Sequence, residues 1–421
     1  MAGDVGSMNR LIDWYYPFVL AALVLCGTKM FPPVFNPMTR WLFLLVALIL
    51  AFSTRYGKTV WKTPVFASLI FYLVWCVSTI LWSEFPELSA YKVIAAIGVF
   101  TGMFSLGYTW MMSRKRIKDA LKSFYLFVPA VLLVAVSGKA GQGLMEQGRV
   151  YYAGLAGNPN YLGWMMAVSL PFLIFHAFDH KLSSAYRWFF ILLTGVCGYY
   201  LLLSQSRAAM LLVFFVFMGL LISSGAVKRA KMTSLALFLS LGVIMLVPNI
   251  TEIIYSKYIL KNRGVDLETA AEKSRGKPFR DSYEAALKGG LMGAGYGISI
   301  GADTSGYRGG ITAVGYGREK GNSPLAVVEE SGIIGFVLVC LIIWRLFAIA
   351  LKAYSASTRR ESRQLIGLFA GLLFGMLIHS NIEAWWVAPG SAESILFWGF
   401  AGMSYALFTL VKAQSRIQKI R

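Results

Sequence analysis

Twelve apolar runs, each near the length of a membrane-spanning helix, punctuate the chain between residues 11 and 411. The hydrocarbon core of a bilayer takes about 20 mostly apolar residues in helical form. The runs lie at 11–28, 41–53, 65–83, 92–112, 124–138, 161–178, 188–206, 208–226, 234–250, 326–350, 365–382 and 391–411, the second short and expected to extend at both ends. Such a pattern leaves a water-soluble fold no means of hiding its apolar surface. Composition agrees, with 57% hydrophobic and 14% charged residues, against about 25% charged in a soluble domain. Disorder, a collagen-like chain and a disulfide-stapled module are excluded on the same ground. The chain therefore reads as an all-α integral membrane protein with about twelve spans. The first nine occupy 1–250, one large hydrophilic loop covers 251–324, and three more spans fill 325–421. Asp4, Arg10 and Asp13 precede a first run that is too long for a cleaved signal sequence.

The charge is lopsided. Forty Lys and Arg face twenty acids, a net charge of +20. With twelve spans both termini share a side, and the connections on that side carry twenty-two cations, among them Arg55, Arg114, Lys118, Lys181, Arg360, Lys412 and Arg416. The short connections opposite carry six: Lys29, Arg40, Lys92, Lys139, Arg149 and Arg207. The positive-inside rule puts the richer side and both termini in the cytoplasm. The long loop, with eleven more cations, then faces outward, and Arg345 lies inside a span. Orientation thus accounts for most of the surplus and leaves an outer basic set needing another reason. Nucleic acid does not supply one, because the cytoplasmic cations are scattered over short loops without interleaved stacking surfaces.

Four outward segments hold residues able to do chemistry. In RVYYAGLAGNPNYLG (149–163), Asn158 and Asn160 flank a proline ahead of a span, which suits a helix cap as well as a polar ligand contact. In SQSRAAML (204–211), Arg207 interrupts almost forty apolar positions; it either ends a span by snorkelling or lines a wet cavity. In PFRDSYEAALKGGLMGAGYG (278–297) a short helix stops at Gly289-Gly290, with Arg275 and Arg280 near its start. The glycines after it follow no strand, so they suit turns or a close backbone approach to a ligand rather than a nucleotide loop. The fourth pair is REKGNSPLAVVEESGIIG (318–335) and HSNIEAWW (379–386). A carboxylate at the edge of a span needs a partner or water, so Glu330 is expected to pair with an arginine. His379 and Glu383 share a face if their helix continues.

Other signals are bland or negative. Cys26, Cys76, Cys197 and Cys340 lie within apolar runs without CxxC spacing and read as small core residues. Trp14, Tyr15, Tyr16 and Trp41 read as an interfacial belt rather than a donor site. Three histidines, no Asp-x-Asp, no HExxH and no Walker motif argue against a metal site and against ATP as an energy source.

Asn-Pro-Asn before a span, SQSRAAML, an Arg-bearing outer loop ending in GAGYG, and NSPLAVVEESGIIG follow one another in an order that resembles the O-antigen ligase and polymerase superfamily. The resemblance covers the second two thirds of the chain; the first third matches only in topology. It implies a bundle similar to the GT-C glycosyltransferases in the bacterial inner membrane, with a periplasmic active site and no cofactor. It implies transfer of a glycan from undecaprenyl diphosphate to lipid A–core (ligase) or to another lipid-linked repeat unit (polymerase), among membrane lipids. Arg207 and Arg280 match the two arginines that hold the diphosphate, with Arg275 and Lys320 as further cations there. Bidentate guanidiniums suit a leaving group that gains charge, and would replace the divalent ion of other glycosyltransferases. Asn158, Asn160 and Asn322 are the glycan contacts to be tested. One departure stands out: where the family carries His before Asn, this chain has Gly321 before Asn322. The base is then sought among Glu319, Glu330, His379 and Glu383. A transporter or flippase of lipid-linked sugars is the competing class, and it calls for charges at mid-span and broken helices in two matching halves.

Overall fold

The computed structural model describes residues 2–114, 116–138, 143–146, 149–179, 181–226, 233, 276–302 and 320–420. Among them the chain is helical apart from one small antiparallel hairpin, β1 (Gly143–Glu146) with β2 (Arg149–Tyr152), in which Gly143 pairs with Tyr152 and Glu146 with Arg149. Before the hairpin come α1 (Ala2–Leu25), α2 (Pro37–Phe52), α3 (Arg55–Val60), α4 (Pro64–Ser78), α5 (Pro86–Arg114) and α6 (Phe124–Val136). After it come α7 (Pro159–Ala177), α8 (Ser184–Ser204), α9 (Arg207–Ser223), α10 (Lys277–Gly289), α11 (Ser323–Ala356), α12 (Arg360–Ser380) and α13 (Ala392–Ile420).

Every apolar run within the described residues coincides with a helix, while the run at 234–250 lies outside them. Among the described residues seven helical stretches are long and apolar enough to cross a membrane: Pro64–Trp82, α5, Ile117–Val136, α8, α11, α12 and Ala392–Ile417. Two shorter apolar helices, α2 and α9, accompany them. The second run extends only at its start, where Asn36 caps α2 by accepting from Met38 and Thr39 N–H and Thr39 closes a capping box.

Burial decides which helices are central. In α5 and α13 78% and 89% of the apolar window is buried, against 17% in α8 and 28% in α11. Phe100 of α5 stacks on Trp398 of α13 at 4.8 Å. Tyr16 of α1 reaches the same seam, its hydroxyl donating to the Gly399 carbonyl at 2.9 Å. That contact removes Tyr16 from the expected interfacial belt: its ring is fully buried beside Trp110, whereas Trp14 stays 77% exposed. Cys340 departs the other way. Cys26, Cys76 and Cys197 are buried as expected, but Cys340 faces outward from the peripheral α11.

Contacts across the bundle define its two ends. At one end Arg114 pairs with Asp13 at 2.9 Å, and Glu361 receives Lys118 at 2.5 Å and Lys181 at 3.3 Å. These residues come from connections that the charge count assigns to a single side. At the other end the Tyr161 hydroxyl, from the start of α7, donates to the carbonyl of Val24, near the end of α1.

Between α9 and α12 a seam of small residues brings backbones together. A Cβ on Gly219 would collide with the Gly367 carbonyl, and one on Gly371 or Gly375 would lie 2.9 or 2.8 Å from the Phe215 or Leu212 backbone oxygen. Small residues are how membrane helices gain contact when no hydrophobic effect drives them together. Gly219→Leu should therefore lower the thermal unfolding midpoint in detergent, by the equivalent of about 1–3 kcal/mol for overpacking. Gly195→Leu on α8, where a Cβ meets nothing within 4 Å, should leave it unchanged.

Candidate functional site

The longest helix is broken. Inside α11, Gly332 adopts φ 70° and ψ −177°, so the helical hydrogen-bond pattern fails there. Carbonyls released within a span must find partners in the protein. The glycine-rich segment after α10 supplies them: Ala294 N–H donates to the Glu329 carbonyl at 2.9 Å and Gly295 N–H to that of Glu330 at 3.1 Å. The Trp75 indole donates to the Ser331 carbonyl at 2.7 Å, and the Trp82 indole holds the Gly293 carbonyl at 2.9 Å. In return, Ile333 and Ile334 N–H donate to Gly290 and Leu291 carbonyls. The glycines at GAGYG thus bring backbone close to the broken helix, where the sequence led one to expect turns or the approach of a ligand.

Two carboxylates sit at this break. Glu329 and Glu330 are buried, at 0% and 2% exposure. Gly297 N–H donates to Glu330 Oε2 and Ile300 N–H to Glu329 Oε1, both at 2.7 Å. Lys320 Nζ pairs with Glu330 Oε1 and lies 3.4 Å from Glu329 Oε2, and it donates to the Ile298 carbonyl at 3.0 Å. Glu330 thus has a basic partner, but a lysine rather than the expected arginine. A Lys ammonium has three donors, and these contacts direct all three into the protein. Lys92, missed by motif reading though visible among the six outer cations, lies close by and donates to the Gly297 carbonyl at 3.0 Å. Tyr296 is fully buried in the same wall, and burial pushes its phenol well above the usual range, so it stays neutral.

The segment 379–386 is a hub. α12 ends at Ser380, so the helix does not carry His379 and Glu383 on one face; instead Glu383 N–H donates to the His379 carbonyl at 3.0 Å in the turn that follows. Glu383 Oε1 accepts from Asn160 Nδ2 at 2.9 Å, across 223 residues of chain. Asn322 caps α11 by accepting from Leu325 N–H at 2.9 Å, while its Nδ2 donates to the Asn381 carbonyl at 3.0 Å. Trp386 N–H donates to Ser323 Oγ at 3.2 Å, and Gly321 N–H to Ser282 Oγ of α10 at 3.1 Å. His379 is buried, and the Trp385 indole donates to its Nδ1 at 3.1 Å. The neutral imidazole so oriented carries its proton on Nε2. Asn158 acts as a cap, accepting from Asn160 and Tyr161 N–H at 2.8 and 3.3 Å.

Arg207 opens α9 directly after a break at Gln205, which takes a left-handed φ of 52°. Gly163 of α7 packs against this turn so closely that a Cβ there would lie 2.6 Å from Ser204 Oγ and Ser206 Cβ. The antiparallel pairing of Leu212 with Gly375 and Val216 with Gly371 carries Arg207 level with Ser380, at the hub. Arg280 is exposed in the first turn of α10, the helix tied to Gly321. The Asn-Pro-Asn, SQSR, α10, NSPL and HSN segments therefore meet at one end of the bundle. Glu319 and Arg275 lie outside the described residues. Among the described residues no group of three His, Cys, Asp or Glu is arranged to hold a metal ion.

Fold and site together define an α-helical membrane protein with a polar constellation at one end of its bundle. The chain matches no protein-family model and no curated protein. Lys320 gives the site its first test. Lys320→Met would strand two buried carboxylates, a change that costs about 3–5 kcal/mol where a buried pair is broken. Its unfolding midpoint in detergent should drop, and adding Glu330→Gln to the same variant should recover part of the loss.

Proposed function

We propose that the chain is a glycosyltransferase of the O-antigen ligase type, moving a glycan from undecaprenyl diphosphate to a sugar hydroxyl of lipid A–core on the periplasmic face of the bacterial inner membrane. The observation that carries this reading is the meeting of the five motif segments at one bundle end, through Asn160–Glu383, Asn322–Asn381, Gly321–Ser282 and the α9–α12 register. In a chain of +20 charge, two guanidiniums on that end fit a diphosphate better than any neutral substrate. Arg207 and Arg280 bind the diphosphate and stabilise the charge it gains as the glycosidic C–O bond breaks. The acceptor hydroxyl attacks the sugar carbon, and its proton passes to a base as the new C–O bond forms; undecaprenyl diphosphate leaves with the electron pair.

Among the described base candidates the geometry favours Glu383. It is partly exposed and oriented by Asn160. Glu330 is tied to Lys320, and His379 accepts at Nδ1 from Trp385 and so presents a protonated Nε2. A Cβ on Gly321, at the position of the family's histidine, would lie 3.0 Å from the backbone of Pro278, a tight fit for a side chain. The transporter reading gains one broken helix, at Gly332, but its freed carbonyls are occupied by Ala294, Gly295 and Trp75 and not by a cargo path.

In a strain lacking the chromosomal copy, Arg207→Ala and Arg280→Ala should each reduce glycan attachment about 10²–10³-fold, the usual cost of one charge-stabilising group, with protein level unchanged. Normal surface glycan in both variants defeats the reading. Glu383→Gln should fall by about 10²–10⁴-fold, the range for a lost general base, and further than His379→Gln. The deletion strain separates the two family activities: long lipid-linked chains left unattached indicate a ligase, single attached repeats a polymerase.

A further inference from the structure

An apolar groove of about 310 Å³ runs between α2 and α5, lined by Trp41, Leu44, Leu48, Ile94, Gly98 and Val99 among others. Its walls face outward from the bundle: Leu42 and Leu45 of α2 and Tyr91 and Ile94 of α5 are exposed. From Trp41 to Leu48 the groove follows α2 for about 10 Å at 1.5 Å per residue. Trp41 therefore lines a groove wall rather than simply joining an interfacial belt.

Arg40 stands at the upper mouth. Its guanidinium carbon lies 5.8 Å from the Trp41 ring centre, and a Cβ on Gly390 would meet its Nη2 at 3.6 Å. Tyr91 of the groove and Tyr161, Cys26 and Glu393 surround it electrostatically. Among the described residues it has no ion pair within 4 Å, and its Nε is buried without a hydrogen-bond partner. A guanidinium cannot neutralise itself by losing a proton, and an unmatched buried donor costs free energy. A charge left in this condition at the end of an apolar channel calls for an anion that arrives with a hydrocarbon chain attached.

We infer that the α2–α5 groove binds one anionic phospholipid of the surrounding bilayer, its phosphodiester on Arg40 and one acyl chain along Trp41, Leu44, Leu48 and Val99. A single guanidinium matches the single charge of a phosphodiester, and the lateral opening admits a lipid from the bilayer. The groove lies between α2 and α5, and the inference does not depend on the transfer chemistry.

Native mass spectrometry of the full chain in neutral detergent, titrated with phosphatidylglycerol, tests the inference. One phosphatidylglycerol should bind, at least tenfold more tightly than phosphatidylcholine. Arg40→Gln should weaken it about 10–100-fold, as loss of a charge-assisted hydrogen bond does. Gly98→Phe should weaken it comparably with Arg40 intact, because a Cβ on Gly98 meets nothing within 4 Å and the ring can fill the groove without disturbing the fold. Unfolding midpoints of both variants at the wild-type value show that the fold is kept. Undiminished phosphatidylglycerol binding in both variants overturns the inference. So does binding of inorganic phosphate in its place, or displacement by an equal concentration of undecaprenyl phosphate, which would give the groove to the donor chain.

Discussion

A carbonyl freed inside an apolar bundle has only the protein to bond to, and three such carbonyls at the break in α11 organise much of what surrounds them. Glu329, Glu330 and Ser331 each offer a backbone oxygen that the helix no longer uses, and Ala294, Gly295 and Trp75 take them. The break thus requires the glycine-rich segment to lie against the helix, in a position where Gly293 and Gly332 leave no space for a side chain between them. The two carboxylates finish the joint by accepting from Gly297 and Ile300, and Lys320 balances their charge. Because α10 leads straight into that segment, the break also fixes where α10 and its Arg280 can be.

A second constraint works from the opposite side of the site. The glycine seam holds α9 and α12 in one register, and this register leaves Arg207 level with the end of α12. Where α12 stops, the chain turns back on itself and gives its polar groups to α7 and α11 through Glu383 and Asn381. Residues more than two hundred positions apart become neighbours without any of the individual hydrogen bonds being strong. A net hydrogen bond is worth about 1 kcal/mol, so the arrangement is held by helix packing and only adjusted by the polar contacts.

Apolar helices were legible in the sequence because bilayer thickness imposes a length and a composition that no other fold needs, and among the described residues the seven stretches long enough to cross, with the shorter α2 and α9, fall on runs read from it. One helix start was legible too, since Asn158 caps α7 as Asn-Pro-Asn ahead of a span leads one to expect, whereas the caps at Asn36 and Asn322 were not read from the sequence. The break at Gly332 was not. A glycine in ESGIIG looks like any small residue on a helix, and only the approach of a segment about 40 residues earlier in the chain reveals that its φ is positive. Lys320 as the partner of Glu330 was hidden for a related reason: which of several cations reaches a buried carboxylate depends on a fold-back that spacing does not encode. The motifs gave the identity of the polar residues, while their distances came from glycine seams with no polar content.

Helix polarity gives an independent reason to connect the basic residues at this end with anions. The first turn of a helix carries a partial positive charge, and cations there are disfavoured by about 0.3–1 kcal/mol each. Yet Arg207 is the first residue of α9, while Arg280 and Arg40 both stand in the first turns of α10 and α2, and none of these three turns contains an acid. Stability alone would place Asp or Glu at such positions. A guanidinium set against its own helix dipole adds its charge to the free N–H groups that already attract anions. On the proposed readings, a phosphate at each of these places offsets that electrostatic cost, which the sorting of loop charges by membrane side does not address.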